Sequence, residues 1–207
     1  MRNLRAEHLG SGREAAHWPK PTLPEYAFIG RSNVGKSSLI NMLCGVDKLA
    51  RVSNTPGRTR LVEHFQVAGT LTTDGAWLLA DLPGYGFARV ARSEREAWQR
   101  MVRTYLRERP NLQCVFLLVD VRLQPQRSDL DMVQWLGEEG IPFAMVFTKS
   151  DKLSPPKVQA NVAAYRRVLK RSWDELPLMF ITSAESRAGR ETLLEFIDEV
   201  NAGFGEE

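Results

Sequence analysis

The chain is predicted to form an α/β domain with a six-stranded, mostly parallel sheet, one antiparallel strand and helices on both faces. Three observations predict it. Short apolar runs of strand length alternate with longer stretches of helical period, the pattern of a sheet whose strands are joined through helices. The residues Gly30 to Ser37 read GRSNVGKS, a glycine-rich loop set directly between one such run and one such helix. The segment from Gly69 to Gly75, made of Thr, Asp and Gly with few apolar residues, is too short for a helical crossover and marks an antiparallel hairpin. The length of 207 residues, 43% hydrophobic and 26% charged, suits one domain that buries a full core.

The first strand, 25–29, is the run Tyr26-Ala27-Phe28-Ile29, and the helix at 36–44 begins as the glycine-rich loop ends. Strands at 61–67 and 76–81 flank the hairpin turn, the second carrying Ala76-Trp77-Leu78-Leu79-Ala80. In the helix at 93–108, Trp98, Met101, Val102, Tyr105 and Leu106 recur on one face. Strands at 113–120, 142–148 and 178–182 then alternate with helices at 127–139, 155–171 and 190–202. In the last helix Leu193, Leu194, Ile197 and Val200 form the face that packs on the sheet. Residues 1–22 read as an N-terminal extension, 23–203 as the domain and 204–207 as a tail.

The loop is a phosphate site. In the form GxxxxGKS the glycines let backbone N–H groups curl around a β-phosphate without Cβ clashes, with a helix start adding its dipole, so Gly30, Arg31, Ser32, Asn33, Val34, Gly35, Lys36 and Ser37 are the expected phosphate-binding residues. Lys36 reaches the β- and γ-phosphates, and the Ser37 hydroxyl is placed on Mg2+. Asp81-Leu82-Pro83-Gly84 ends an apolar run, where a strand delivers an Asp to the water shell of the Mg2+ and a Gly amide to the γ-phosphate. Thr148-Lys149-Ser150-Asp151 ends another. A carboxylate there accepts paired hydrogen bonds from guanine N1–H and N2–H2, a pair adenine lacks, and the Lys149 stem covers the ring. Ile181-Thr182-Ser183 ends the last strand in a turn whose backbone N–H is placed to donate to guanine O6. Asp81 alone would be an ordinary strand-end residue and Asp151 a helix N-cap; the order of all four pieces makes the ligand GTP or GDP.

With GRSNVGKSSLIN, Thr55-Pro56-Gly57-Arg58-Thr59, Asp81-Leu82-Pro83-Gly84-Tyr85-Gly86 and the Thr-Lys-x-Asp tetrapeptide, the chain resembles the EngB family of bacterial ribosome-biogenesis GTP-binding proteins, in the TrmE-Era-EngA-EngB-Septin-like superfamily. The resemblance runs from about Leu23 to the last helix. It implies a Ras-like P-loop GTPase fold, Mg2+-dependent hydrolysis of GTP, a switch role in large ribosomal subunit assembly, and a requirement in septation. It also implies a first switch at Gly57, Arg58, Thr59, Arg60 and Leu61, with Thr59 completing the Mg2+ shell when a γ-phosphate is present, and a second switch at Asp81 to Gly84.

Two departures from the commonest GTPase pattern bear on mechanism. Thr148 stands where most relatives have Asn; it can tie the base loop to the phosphate loop but reaches guanine N7 less well, which favours spontaneous exchange. Tyr85 stands where Ras has its water-orienting Gln, so intrinsic hydrolysis is expected to be slow. By resemblance to GTPases that also lack that Gln, Asn33 is a candidate K+ ligand beside the phosphates, in place of an arginine finger.

A run of arginines from Arg89 to Arg109 suggests a partner. Arg100, Arg103 and Arg107 fall opposite the apolar face of the helix, where they would meet rRNA or ribosomal particles. The net charge of +3 permits RNA binding without requiring it. No run is long enough for a membrane span and residues 1–24 have no apolar h-region, so a cytoplasmic protein is expected; a monomer is the expected state. Cys44 and Cys114 sit among apolar neighbours as buried thiols, and His8, His17 and His64 make no metal-spaced cluster. A low-turnover GTP-binding scaffold acting directly in septum formation is the alternative; a kinase or ATPase is opposed by Asp151 and by the want of an acceptor site.

Overall fold

The computed structural model describes residues 4–50, 61–72, 75–85 and 92–205. A seven-stranded sheet in the order β1-β3-β4-β2-β5-β6-β7 runs through its centre. The strands are β1 (Arg5–Gly12), β2 (Glu25–Gly30), β3 (Val62–Ala68), β4 (Ala76–Asp81), β5 (Leu112–Asp120), β6 (Phe143–Thr148) and β7 (Leu178–Ile181). The helices are α1 (Lys36–Cys44), α2 (Arg92–Glu108), α3 (Arg127–Glu138), α4 (Pro155–Leu169) and α5 (Arg190–Ala202). From β4 through β7 neighbouring strands are parallel; β3 pairs antiparallel with both β4 and β1.

The sheet therefore has one strand more than the six expected. The addition is β1, inside the segment read as an extension, which pairs along β3 from Arg5 opposite Ala68 to Gly12 opposite Val62. Its sequence, RAEHLGSG, hides the strand: most of its side chains are exposed, so no apolar alternation is needed, and a bulge at His8 to Gly10 interrupts the period. The other strands and all the helices lie within a residue or two of their expected bounds.

Both faces of the sheet are covered. Alternate residues of β2 point to opposite sides: Tyr26 and Phe28 pack with Leu39, Leu43, Leu193 and Ile197 under α1 and α5. Ala27 and Ile29 pack with Val102, Tyr105, Val133 and Val162 under α2, α3 and α4. Burial on both faces is why these strands read as continuous apolar runs. Since α1 and α2 lie on opposite faces, the strand order reverses beside β2, and the crevice above the carboxyl ends of the strands opens there.

Candidate functional site

The predicted phosphate loop follows β2 and turns into α1. Gly35 caps the helix with φ of 105°, a left-handed conformation that a side chain resists, and Asn33 is also left-handed at φ of 61°. Such a turn is the kind of backbone that can present N–H groups to an anion, although Val34 N is already bonded to Arg31 O at 3.1 Å. The neighbouring Asp81–Gly84 segment is stitched onto this loop: Tyr85 N donates to Gly30 O at 3.1 Å and Ser32 N to Tyr85 O at 3.0 Å. Gly84 is required at that junction, since a Cβ there would stand 2.9 Å from Gly30 O. Leu82 and Pro83 are buried beside it.

Lys36 Nζ is ion-paired with Asp81 Oδ1. Burial raises the pKa of the Asp81 carboxyl above the usual carboxylate value, and the Lys36 charge offsets only part of that rise. Ser37, the next residue of α1, carries a hydroxyl. A hydroxyl and a buried carboxylate suit Mg2+, a hard cation that takes oxygen donors and keeps most of its shell as water and phosphate. Of the first switch, Gly57, Arg58, Thr59 and Arg60 lie outside the described residues; Leu61 leads into β3, partly buried.

The base loop is fastened to the phosphate loop at two points. Thr148, buried at the end of β6, donates from Oγ1 to Val34 O at 2.6 Å, with Val119 O at 3.2 Å. A hydroxyl has one proton, so here it serves the loop and not guanine N7. Lys149, itself left-handed at φ of 62°, donates from Nζ to Asn33 O at 2.6 Å. Asp151 is oriented from both sides: Ser183 Oγ donates to Oδ1 at 2.6 Å and Lys152 Nζ to Oδ2 at 2.8 Å, and these hold its pKa below the usual carboxylate value. Ser150 N donates to Thr182 O at 3.1 Å, tying the tetrapeptide to the turn after β7.

An open pocket between these pieces is lined by Gly35, Leu39, Thr148, Lys149, Asp151 and Ala184, among others. Two details of the turn after β7 are set here. The Ser183 N–H is already used by Ala188 O at 3.1 Å, and the Ser183 hydroxyl is on Asp151. Ile181 packs its side chain into the core, and only the chain after it reaches the pocket. Sequence reasoning missed Lys152, whose bond to Asp151 depends on the loop's shape, and Asp120 at the end of β5, which its strand's apolar run could have flagged as it flagged Asp81.

Tyr85 points away from the phosphate loop. Its hydroxyl donates to Asp129 Oδ1 at 2.9 Å, and Tyr165 donates to Oδ2 at 3.2 Å. In the arginine run, Arg100, Arg103 and Arg107 are exposed as expected. Arg107 is paired with Glu139, and Arg103 lies 4.9 Å from the centre of the Trp135 ring. Arg109 does not belong to that surface: its guanidinium is buried against Glu25, Nη2 to Oε2 being 2.6 Å. The structures of Arg89, and of the side chains of Arg92 and Arg95, lie outside the described residues.

Comparison with known proteins decides the family. A "Probable GTP-binding protein EngB" from Porphyromonas gingivalis is 50% identical over 201 residues, covering 97% of both chains. The chain belongs to the EngB family. EngB relatives from Cytophaga hutchinsonii and Flavobacterium psychrophilum are 50% and 48% identical, covering 96% and 95% of this chain and 96% and 93% of their own. The family model described as "50S ribosome-binding GTPase" matches residues 25–149. Among solved structures, one of a probable GTP-binding protein engB superposes with a TM-score of 0.65 at 25% identity, covering 86% of this chain and 98% of the other. Era in complex with MgGDPNP and 16S ribosomal RNA nucleotides has a TM-score of 0.68 at 22% identity, covering 86% of this chain and 56% of Era, and shares the fold. Like other EngB proteins, the chain is a GTP-binding P-loop GTPase with a Ras-like fold.

Proposed function

We propose that this EngB protein is a switch in large ribosomal subunit assembly that binds guanine through Asp151, hydrolyses GTP slowly and thereby supports normal septation. The single observation that carries the nucleotide reading is the aim of Asp151, whose carboxylate is held by Ser183 and Lys152 at the mouth of the pocket that Thr148 and Lys149 fasten to the phosphate loop. Gly30 to Ser37 hold the phosphates. Ser37, Thr59 and Asp81 are the residues that would hold Mg2+, and that ion would supply the positive charge that phosphoryl transfer requires. Lys36 moves from Asp81 to the phosphates when nucleotide enters, which frees the carboxylate. Asn33, exposed on the loop, is the candidate for K+.

The ribosomal part of the proposal rests on the description of the matched family model and on the exposed Arg100, Arg103 and Arg107, which follow the second switch on α2. The protein acts as a cytoplasmic monomer in this reading, and among the described residues no helix is long and apolar enough to cross a membrane. Co-sedimentation with ribosomal particles, in a GTP analogue against GDP, tests it. Binding that depends on the nucleotide, and that loses strength and salt dependence when the three arginines become Gln, is expected. Binding to no particle in either state would leave the direct septal scaffold as the better reading.

A further inference from the structure

Asp120 ends β5 beside the base loop and is almost fully buried. Its carboxylate gathers a set of donors: Arg122 reaches Oδ1 through Nε at 2.9 Å and through its backbone N–H at 3.1 Å, and Oδ2 through Nη2 at 2.7 Å. Lys149 Nζ donates to the same Oδ2 at 2.9 Å. Burial alone would raise the carboxyl's pKa, but the bonds from Arg122 and Lys149 outweigh it and hold it at about 2, so the group is an anion at any working pH.

Lys149 is thus pinned at two points, by Asn33 O of the phosphate loop and by Asp120. A free lysine side chain samples many rotamers, and a flexible ammonium would lose that freedom each time its stem came to lie on a base. Here the freedom is already lost before nucleotide arrives. Arg122 fixes the carboxylate in turn through paired bonds that a lone lysine could not provide.

We propose that Asp120, oriented by Arg122, is a positioning residue that holds Lys149 across the base pocket and slows nucleotide release. The inference rests on the reading of Lys149 as the residue that covers guanine. It carries a sign that a simple charge effect does not. Deleting a carboxylate near a polyphosphate site should tighten binding of the anionic ligand; losing a positioning residue should loosen it.

Release of fluorescently labelled GDP from the full chain tests this. In Asp120→Asn, release is expected to be roughly tenfold faster, the scale of one charge-assisted hydrogen bond. Preference for guanine over xanthine nucleotides should not change, since Asp151 sets it. Combined with Lys149→Gln, Asp120→Asn should add nothing, because both act through one side chain. The more exposed Arg122→Gln should show a smaller acceleration that also vanishes in the Lys149→Gln background, and it decides the matter if Asp120→Asn does not fold. Release at or below the parent rate in the Asp120 and Arg122 variants while Lys149→Gln is fast would overturn the proposal alone, as would additive effects in the double variant. Parent-rate release in Lys149→Gln would overturn the reading of Lys149 beneath it, and the proposal with it.

Discussion

The hydroxyl of Tyr85 donates to Asp129 Oδ1 at 2.9 Å, fastening the residue that follows the Asp81–Gly84 motif to the first turn of α3. Tyr165 of α4 completes the pair of donors to that buried carboxylate. The position that holds a water-orienting Gln in Ras is here a packing residue, with its phenol spent on the helical layer behind the site.

The first prediction follows from that bond. Tyr85→Phe should lower stability by about 1–2 kcal/mol, because Asp129 stays buried with one donor fewer. Single-turnover GTP hydrolysis should stay within about twofold of the parent, since removing the hydroxyl removes nothing from the reacting water. Urea unfolding and a quench assay measure the two quantities. A large fall in turnover with unchanged stability would place the phenol in the chemistry instead.

Far from the nucleotide, His64 sets a pH dependence. Tyr105 donates to Glu25 at 2.5 Å, so its oxygen accepts from His64 Nε2 at 3.0 Å, which fixes the neutral ring with its proton on that nitrogen. Burial first, and the Arg109 charge second, push the His64 pKa from 6.5 down to about 3. Between those values the unfolded chain takes up a proton that the folded chain refuses, so stability falls as pH falls through this window and is fully present above it. From pH 7 to 5 the loss from this residue should be about 2 kcal/mol. Urea midpoints at the two pH values check it: His64→Gln should show a flatter dependence, and an equal slope in both proteins would mean that other groups carry it.

Much of the site was legible because its motifs are local. GRSNVGKS, Asp81 to Gly84 and Thr148 to Asp151 each sit at the end of an apolar run, and all three meet at the crevice where the sequence order places them. What escaped depends on distant partners. Arg109 reads as one more arginine on α2 until Glu25, 84 residues away, receives it in the core. Asp120 acquires meaning only when Lys149 arrives from β6, and β1 leaves no apolar period because the edge of the sheet buries so little of it. The turn after β7 marks Ser183 from the sequence, but which of its groups is left for the site depends on Ala188, whose carbonyl takes the Ser183 N–H, and on Asp151, which takes the hydroxyl.

The potassium prediction needs a variant chosen from the structure. Asn33 is left-handed at φ of 61°, so an alanine there would strain the loop and confuse the result. Asn33→Gly removes the carboxamide and keeps the backbone. Hydrolysis in K+ should exceed that in Na+ at equal ionic strength by at least about tenfold, a gain below the roughly 10³ to 10⁵ that an arginine finger supplies. The glycine variant should lose that difference while still binding GDP. Equal rates in the two salts would assign activation to a partner.

The central claim, that this protein selects guanine through Asp151, is tested most directly by competition binding of GTP and xanthosine triphosphate to Asp151→Asn. Ser183 and Lys152 aim the parent carboxylate as an acceptor pair; the amide replaces one acceptor with a donor and suits a base bearing a carbonyl where guanine has its amine. GTP affinity should fall by at least about a hundredfold while xanthosine triphosphate affinity rises, the discrimination typical of a site built to hydrogen-bond its ligand. An unchanged preference for GTP in this variant would contradict the account.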